Sequence, residues 1–232
     1  MSDKNSFGGP TSTDPGLAAF MRNVYLNMTA GLAVTGIVAY FLMSNVALLA
    51  AFTGSMWFWA ALIFELVLVF GLMFVIGRIS PAAALLTFFA YSALNGLTLA
   101  PLVFMYTAES VWSVFFITSG MFAALSAWGF FTKKDLSAWG KVLFMAMVGL
   151  IIAMIVNIFL ASSMMSFIIS AIAVIVFAAL TAYDTQKIRE MYSGVSGDET
   201  MKGRGAVVGA LVLYLDFINM FIHLLRLFGT RK

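Results

Sequence analysis

The sequence predicts an all-α integral membrane protein with seven spans, the last of them at the centre. Three observations carry this expectation. Of the 232 residues, 62% are hydrophobic and 10% charged, where a soluble domain carries about a quarter charged residues, and the mean hydropathy is +1.02. The apolar residues also fall into seven runs near the length of about 20 residues that crosses a bilayer as a helix. Finally, the last run, Gly205 to Phe228, holds Asp216, Asn219, His223 and Arg226 inside it. At about 100° per residue these four, with Gly205 and Gly209, share roughly a quarter of the helix surface. Charged groups in hydrocarbon are costly unless they face protein or water, so this helix should be central with its polar seam turned inward.

Residues 1–20 are polar and rich in Gly, Pro, Ser and Thr (SFGGPTSTDPG). They lack the apolar stretch and cleavage pattern of a signal peptide and are expected to form a disordered cytoplasmic tail. Residues 21–232 then form one transmembrane domain, with helical spans expected at 24–44, 57–77, 82–106, 110–131, 142–162, 165–186 and 205–228. Gly, Ser, Pro or charged residues punctuate them. The runs lack two-residue alternation and are about twice as long as a membrane strand, which excludes a barrel. The segment 190–204 (EMYSGVSGDETMKGR) is polar and is expected to be a mobile loop. Pro101 is expected to kink the third span.

Lys4 and Arg22 precede the first span, Arg78 follows the second, Lys133, Lys134 and Lys141 follow the fourth, and Lys187, Arg189, Lys202 and Arg204 follow the sixth. The opposite loops contain no Lys or Arg, so the amino terminus is expected in the cytoplasm. Arg231 and Lys232 pull against a full crossing by the last helix. There is no cysteine, hence no disulfide framework or thiolate metal site. The net charge of +3 is spread over loops, which leaves no nucleic-acid footprint.

The ionisable residues inside the spans carry the candidate chemistry. Asp184, in AYDTQKI, either meets interfacial water and pairs with Lys187 or Arg189, or meets Asp216. Asp216 lies on the order of 15 Å in from the Arg204 end and is too short to snorkel to water. Two carboxylates that meet cannot both ionise cheaply and would share a proton. Protonated, such a pair holds two helices together; doubly ionised, it repels or accepts a cation, calcium better than a transition metal. Glu65, mid-span, and Arg226 would lie at similar depth and are expected to form a second pair. Asn95 and Thr98 either bridge helices or line a polar path, and Asn219 and His223 are candidates for the same lining. The lone His223 reads as a hydrogen-bonding core residue, with no second ligand at metal spacing. Gly205-xxx-Gly209 would permit close helix contact.

Three of these segments, YSALNGLTL in the third span, LTAYDTQK in the sixth and GALVLYLDFINMFIHLLRLFG in the seventh, together resemble the Bax inhibitor family of membrane proteins, in particular its bacterial inner-membrane branch. The similarity runs from about residue 20 onward. It implies two three-helix groups around a central seventh helix, and a pH-sensitive calcium leak gated by a di-aspartyl pair. By motif, that pair matches Asp184 and Asp216, which would also be where calcium binds in passing. The basic latch on the sixth-span aspartate most resembles Arg78. The resemblance implies no cofactor, calcium being the permeant ion, and places the chain in the bacterial inner membrane. Some bacterial relatives modulate a membrane-bound protease, so a role as an interaction protein in a stress response stays open. An intramembrane aspartyl protease also uses two facing aspartates. It needs Gly-x-Gly-Asp, however, where this chain has Leu213, Tyr214 and Leu215 before Asp216. An enzyme is therefore not expected.

Overall fold

The computed structural model describes residues 14–232. Among them are eight helices: α1 (Pro15–Met43), α2 (Val46–Thr53), α3 (Met56–Val75), α4 (Pro81–Phe104), α5 (Ala108–Phe131), α6 (Ser137–Leu160), α7 (Ser163–Val195) and α8 (Glu199–Phe228). All but α2 are long and apolar enough to span a membrane, which gives the seven expected spans. Their ends are set by local capping. Asp14, Ser55, Ser80, Thr107, Ser162 and Asp198 each accept a backbone N–H of the first turn, satisfying donors that a helix start leaves orphaned. Pro15 and Pro81 follow their caps directly, where a missing N–H costs nothing.

Two expected boundaries are corrected. The tail expected over 1–20 falls partly outside the described residues, but residues 15–20 belong to α1. The mobile loop expected over 190–204 is mostly helix: α7 runs to Val195 and α8 starts at Glu199. Hydropathy marks only the part of a helix that lies in hydrocarbon, whereas backbone hydrogen bonding continues into polar flanks if a cap is present. Here Asp198 accepts from Thr200 N at 2.7 Å and Met201 N at 3.2 Å. Ion pairs three residues apart, Lys187 with Glu190 at 2.9 Å and Lys202 with Glu199, brace the two helix ends.

The long helices form two groups of three. In the first, α4 packs on both α1 and α3; in the second, α7 packs on both α5 and α6. Helix α8 joins them, touching α1, α4, α5 and α7. In its most apolar stretch 72% of residues are buried, against 11% in α3 and α6, so α8 is the core helix and those two face outward. Pro101 sits inside a continuous α4. The last helix runs unbroken from the α7 turn to the α4–α5 loop. There the chain end bridges Tyr106 and Arg231, with Thr107 N donating to Thr230 O at 3.0 Å and Lys232 N to Met105 O at 3.0 Å. Arg231 lies over the Tyr106 ring and Lys232, at 4.3 Å, over that of Phe104. These aromatic faces hold the two basic residues that made a full-length last helix doubtful.

Small residues set the closest crossings. A Cβ on Gly96 of α4 would stand 2.6 Å from the Thr35 carbonyl oxygen of α1, and one on Gly129 of α5 would run into the Ala182 carbonyl of α7. Gly209 lets α8 approach Ile188 of α7 and Val24 of α1, at 3.1 and 3.2 Å from an added Cβ, and Gly205 is less tight. Because the obstacles at Gly96 and Gly129 are backbone, Gly96→Ala and Gly129→Ala should each destabilise the bundle by about 1–3 kcal/mol. Thermal unfolding in detergent measures this, with Gly71→Ala, where a Cβ meets open space, expected to be neutral or stabilising.

Candidate functional site

The site lies on the seam between α7 and α8. Gly209 rests against Ile188, so one turn further along these antiparallel helices Asp184 comes level with the turn from Leu213 to Asp216. The two carboxyl groups are neighbours across this seam, close enough for each to influence the ionisation of the other. Asp216 is buried, with 4% of its surface exposed, and Asp184 is half-buried. Asp216 Oδ2 has no hydrogen-bond donor within the protein. Two ionised carboxylates have no hydrogen to give, so their contact is a hydrogen bond only when one carries a proton.

The basic residues that would have neutralised Asp184 are engaged elsewhere. Lys187 turns to Glu190 and to Ser137 Oγ at 2.6 Å. Arg189 donates to the Phe130 carbonyl of α5. Arg78, the expected latch, is exposed in the turn after α3 and forms no ion pair among the described residues. Of the two readings of Asp184, the geometry therefore favours Asp216 as its neighbour.

Glu65 and Arg226 do not meet, which corrects the second expected pair. Helix α3 reaches the bundle through α4, and buried Glu65 accepts from Thr98 Oγ1 at 2.8 Å. Arg226 lies exposed at the rim of α8. Similar depth in two helices does not bring side chains together when a third helix stands between them. Asn219 spends its amide on the Leu215 carbonyl of its own helix, at 2.8 Å. His223 is buried, its Nδ1 3.2 Å from Ser170 Oγ and its ring stacked on Phe177.

Asn95 and Thr98 bridge helices, the first of their two expected readings, but the hydroxyl clusters around them and beside α5 were not expected from the sequence. On the α1–α4 side, Thr35 Oγ1 lies 2.6 Å from the Tyr214 hydroxyl, which donates to Asn95 Oδ1 at 3.0 Å. Between α1, α5 and α7, Tyr25 OH lies 2.6 Å from Ser126 Oγ, itself 2.9 Å from Thr185 Oγ1. Gln186 was missed as well; it accepts from Leu136 N and donates to Lys134 O, both at 2.8 Å, fixing the α5–α6 loop. Isolated Ser and Thr in membrane helices commonly bond to the carbonyl one turn back, so their sequence positions gave no sign of tertiary partners.

The family model described as "Inhibitor of apoptosis-promoting Bax1" matches residues 17–232. The chain is 42% identical over 219 residues to the inner membrane protein YbhL of Escherichia coli strain K12, covering 94% of each. It is 44% identical over 213 residues to an uncharacterized protein of Deinococcus radiodurans, covering 91% of this chain and 90% of that one. An uncharacterized membrane protein of Streptococcus pyogenes serotype M1 is 38% identical over 225 residues, with 94% and 96% covered. None of these names carries an enzyme activity.

Removing the Tyr214 hydroxyl leaves Asn95 Oδ1 without that donor in the buried interior. Tyr214→Phe should therefore cost about 1–3 kcal/mol. Asn219→Ala, which deletes only a bond within its own helix, should change stability by less than about 0.5 kcal/mol. Denaturation of the two variants side by side in detergent distinguishes them.

Proposed function

The chain belongs to the Bax inhibitor family, and we propose that it is a pH-sensitive calcium leak of the bacterial cytoplasmic membrane, gated by Asp184 and Asp216. The observation that carries this reading is the contact of two carboxyl groups deep on the central seam, with a buried Asp216 oxygen that no protein donor reaches. With one shared proton, the pair joins α7 to α8. When the second proton leaves, two like charges face each other at short range and separate unless a cation enters between them. A hard dication fits these oxygens, although calcium takes about 6–8 oxygen ligands and the pair supplies only part of that set. The ion is therefore cargo that passes the pair, completing its shell with water.

In this reading the amino terminus is cytoplasmic, following the basic residues of the loops. Arg78 stays apart from the pair in this arrangement and would act as a latch only through a movement that carries the α3–α4 turn toward α7. Flux through the bilayer should rise as pH increases through about 6 to 8, as the shared proton is lost.

Asp216→Asn replaces the shared proton with a permanent amide donor to Asp184. In liposomes loaded with a calcium-sensitive dye, that variant should give low flux independent of pH over the same range. Equal flux and equal pH response in Asp216→Asn and the parent would sink the proposal. Loss of a protease-linked phenotype on deleting residues 1–13, with flux unchanged, would point instead to an interaction protein.

A further inference from the structure

The groove between α1 and α5 lies outside the site just described. Both helices pack on α7 and α8, and toward the Arg22 end the Tyr25–Ser126 hydrogen bond links them. The space left between them is a cavity of about 540 Å³, lined by Met21, Arg22, Tyr25, Phe122, Phe130 and Phe131 with small alanines between. That size falls within the range of about 300–1,000 Å³ that organic ligands fill. Its walls are almost wholly apolar, so hydrocarbon rather than water fits it.

The mouth is basic. Arg22 is exposed on the groove and forms no ion pair among the described residues. Arg189 reaches the carbonyl of Phe130 in the wall, and exposed Lys133 and Lys134 follow Phe131 at the end of α5. The acid in that loop, Asp135, is occupied in accepting Ser137 N at 2.8 Å. Basic pockets between membrane helices attract anionic headgroups, by an amount that each nearby Lys or Arg increases.

We infer that the α1–α5 groove is a binding site for an anionic phospholipid, with an acyl chain between Met21 and Phe122 and the headgroup phosphate at Arg22. Tyr25 and Ser126 line the groove, and Ser126 is bonded in turn to Thr185, the residue after Asp184 on α7. A lipid in the groove is therefore one hydrogen bond away from the turn of α7 that presents the aspartate.

Native mass spectrometry of the full-length protein tests the inference, after equilibration with equimolar phosphatidylglycerol and phosphatidylcholine in detergent. The parent should retain phosphatidylglycerol over phosphatidylcholine by at least about fivefold, the ratio expected from roughly one basic contact. Arg22→Gln, at an exposed position, should bring the ratio close to one with no change in circular dichroism. Ala123→Phe, which fills the groove, should reduce the retention of both lipids. Equal retention by the parent, an unchanged ratio in Arg22→Gln, or a dimer in place of lipid adducts overturns the site. The parent comparison and Arg22→Gln decide the matter even if Ala123→Phe does not fold.

Discussion

Polar side chains on a membrane helix have to find partners inside the protein, and in this chain that constraint bears hardest on α8. Tyr214, Asp216 and His223 are all buried, and they leave the helix in different directions. Tyr214 reaches Thr35 and Asn95 on α1 and α4, while Asp216 and His223 turn to Asp184 and Ser170 on α7. No position at the edge of a bundle could cover all three. A helix that carries such groups must be surrounded, and the two three-helix groups are the covering that this chain supplies. Helices α3 and α6, each with few groups to hide, can face outward.

The two sides of α8 are held by different physics. Toward α1 and α4 the contact combines neutral hydroxyl and amide hydrogen bonds with edge-to-face packing of Tyr214 on Phe88 and Tyr91. None of those groups changes charge near neutral pH, so that side works as a fixed seat. Toward α7 the contact includes two carboxyl groups, whose mutual energy depends on how many protons they hold. Under the proposed function, a pH change acts on the α7–α8 seam while the α1–α4 side keeps α8 in place. Phe217, packed edge-to-face on Phe115 and Phe122 of α5, braces α8 on that flank without adding a titratable group.

The sequence made the fold legible because the membrane imposes a strong, simple signal. Seven apolar runs became seven long helices, and the one run rich in polar residues became the central one. What it did not show were events outside hydrocarbon, such as the continuation of α7 and α8 through polar residues to a three-residue turn, where the Asp198 cap rather than hydropathy sets the boundary. At the site, Asp184 and Asp216 were legible because a carboxylate within a span is rare and conspicuous. The Thr35–Tyr214–Asn95 cluster was not, since hydroxyls cost little in membrane helices and their partners lie up to 179 residues away in sequence. The expected Glu65–Arg226 pair failed for the complementary reason. Depth along a helix can be counted from the sequence, but which neighbour stands beside it depends on packing, and Thr98 of α4 reached Glu65 first.

The same packing decides what can balance the charge on the aspartate pair. A buried carboxylate is tolerated when a fixed cation is paired with it, and such a pair would be structural and insensitive to small pH changes. Lys187 is paired with Glu190 and Arg189 with a carbonyl of α5, while Arg78 sits exposed in the turn after α3, a helix packed against α4. With no fixed countercharge among the described residues, the balance is left to species that come and go, a proton or a dissolved cation. Under the proposed function, the difference between a structural ion pair and a sensor rests on basic side chains such as Lys187 and Arg189, which lie close in sequence to Asp184 yet bond to other partners.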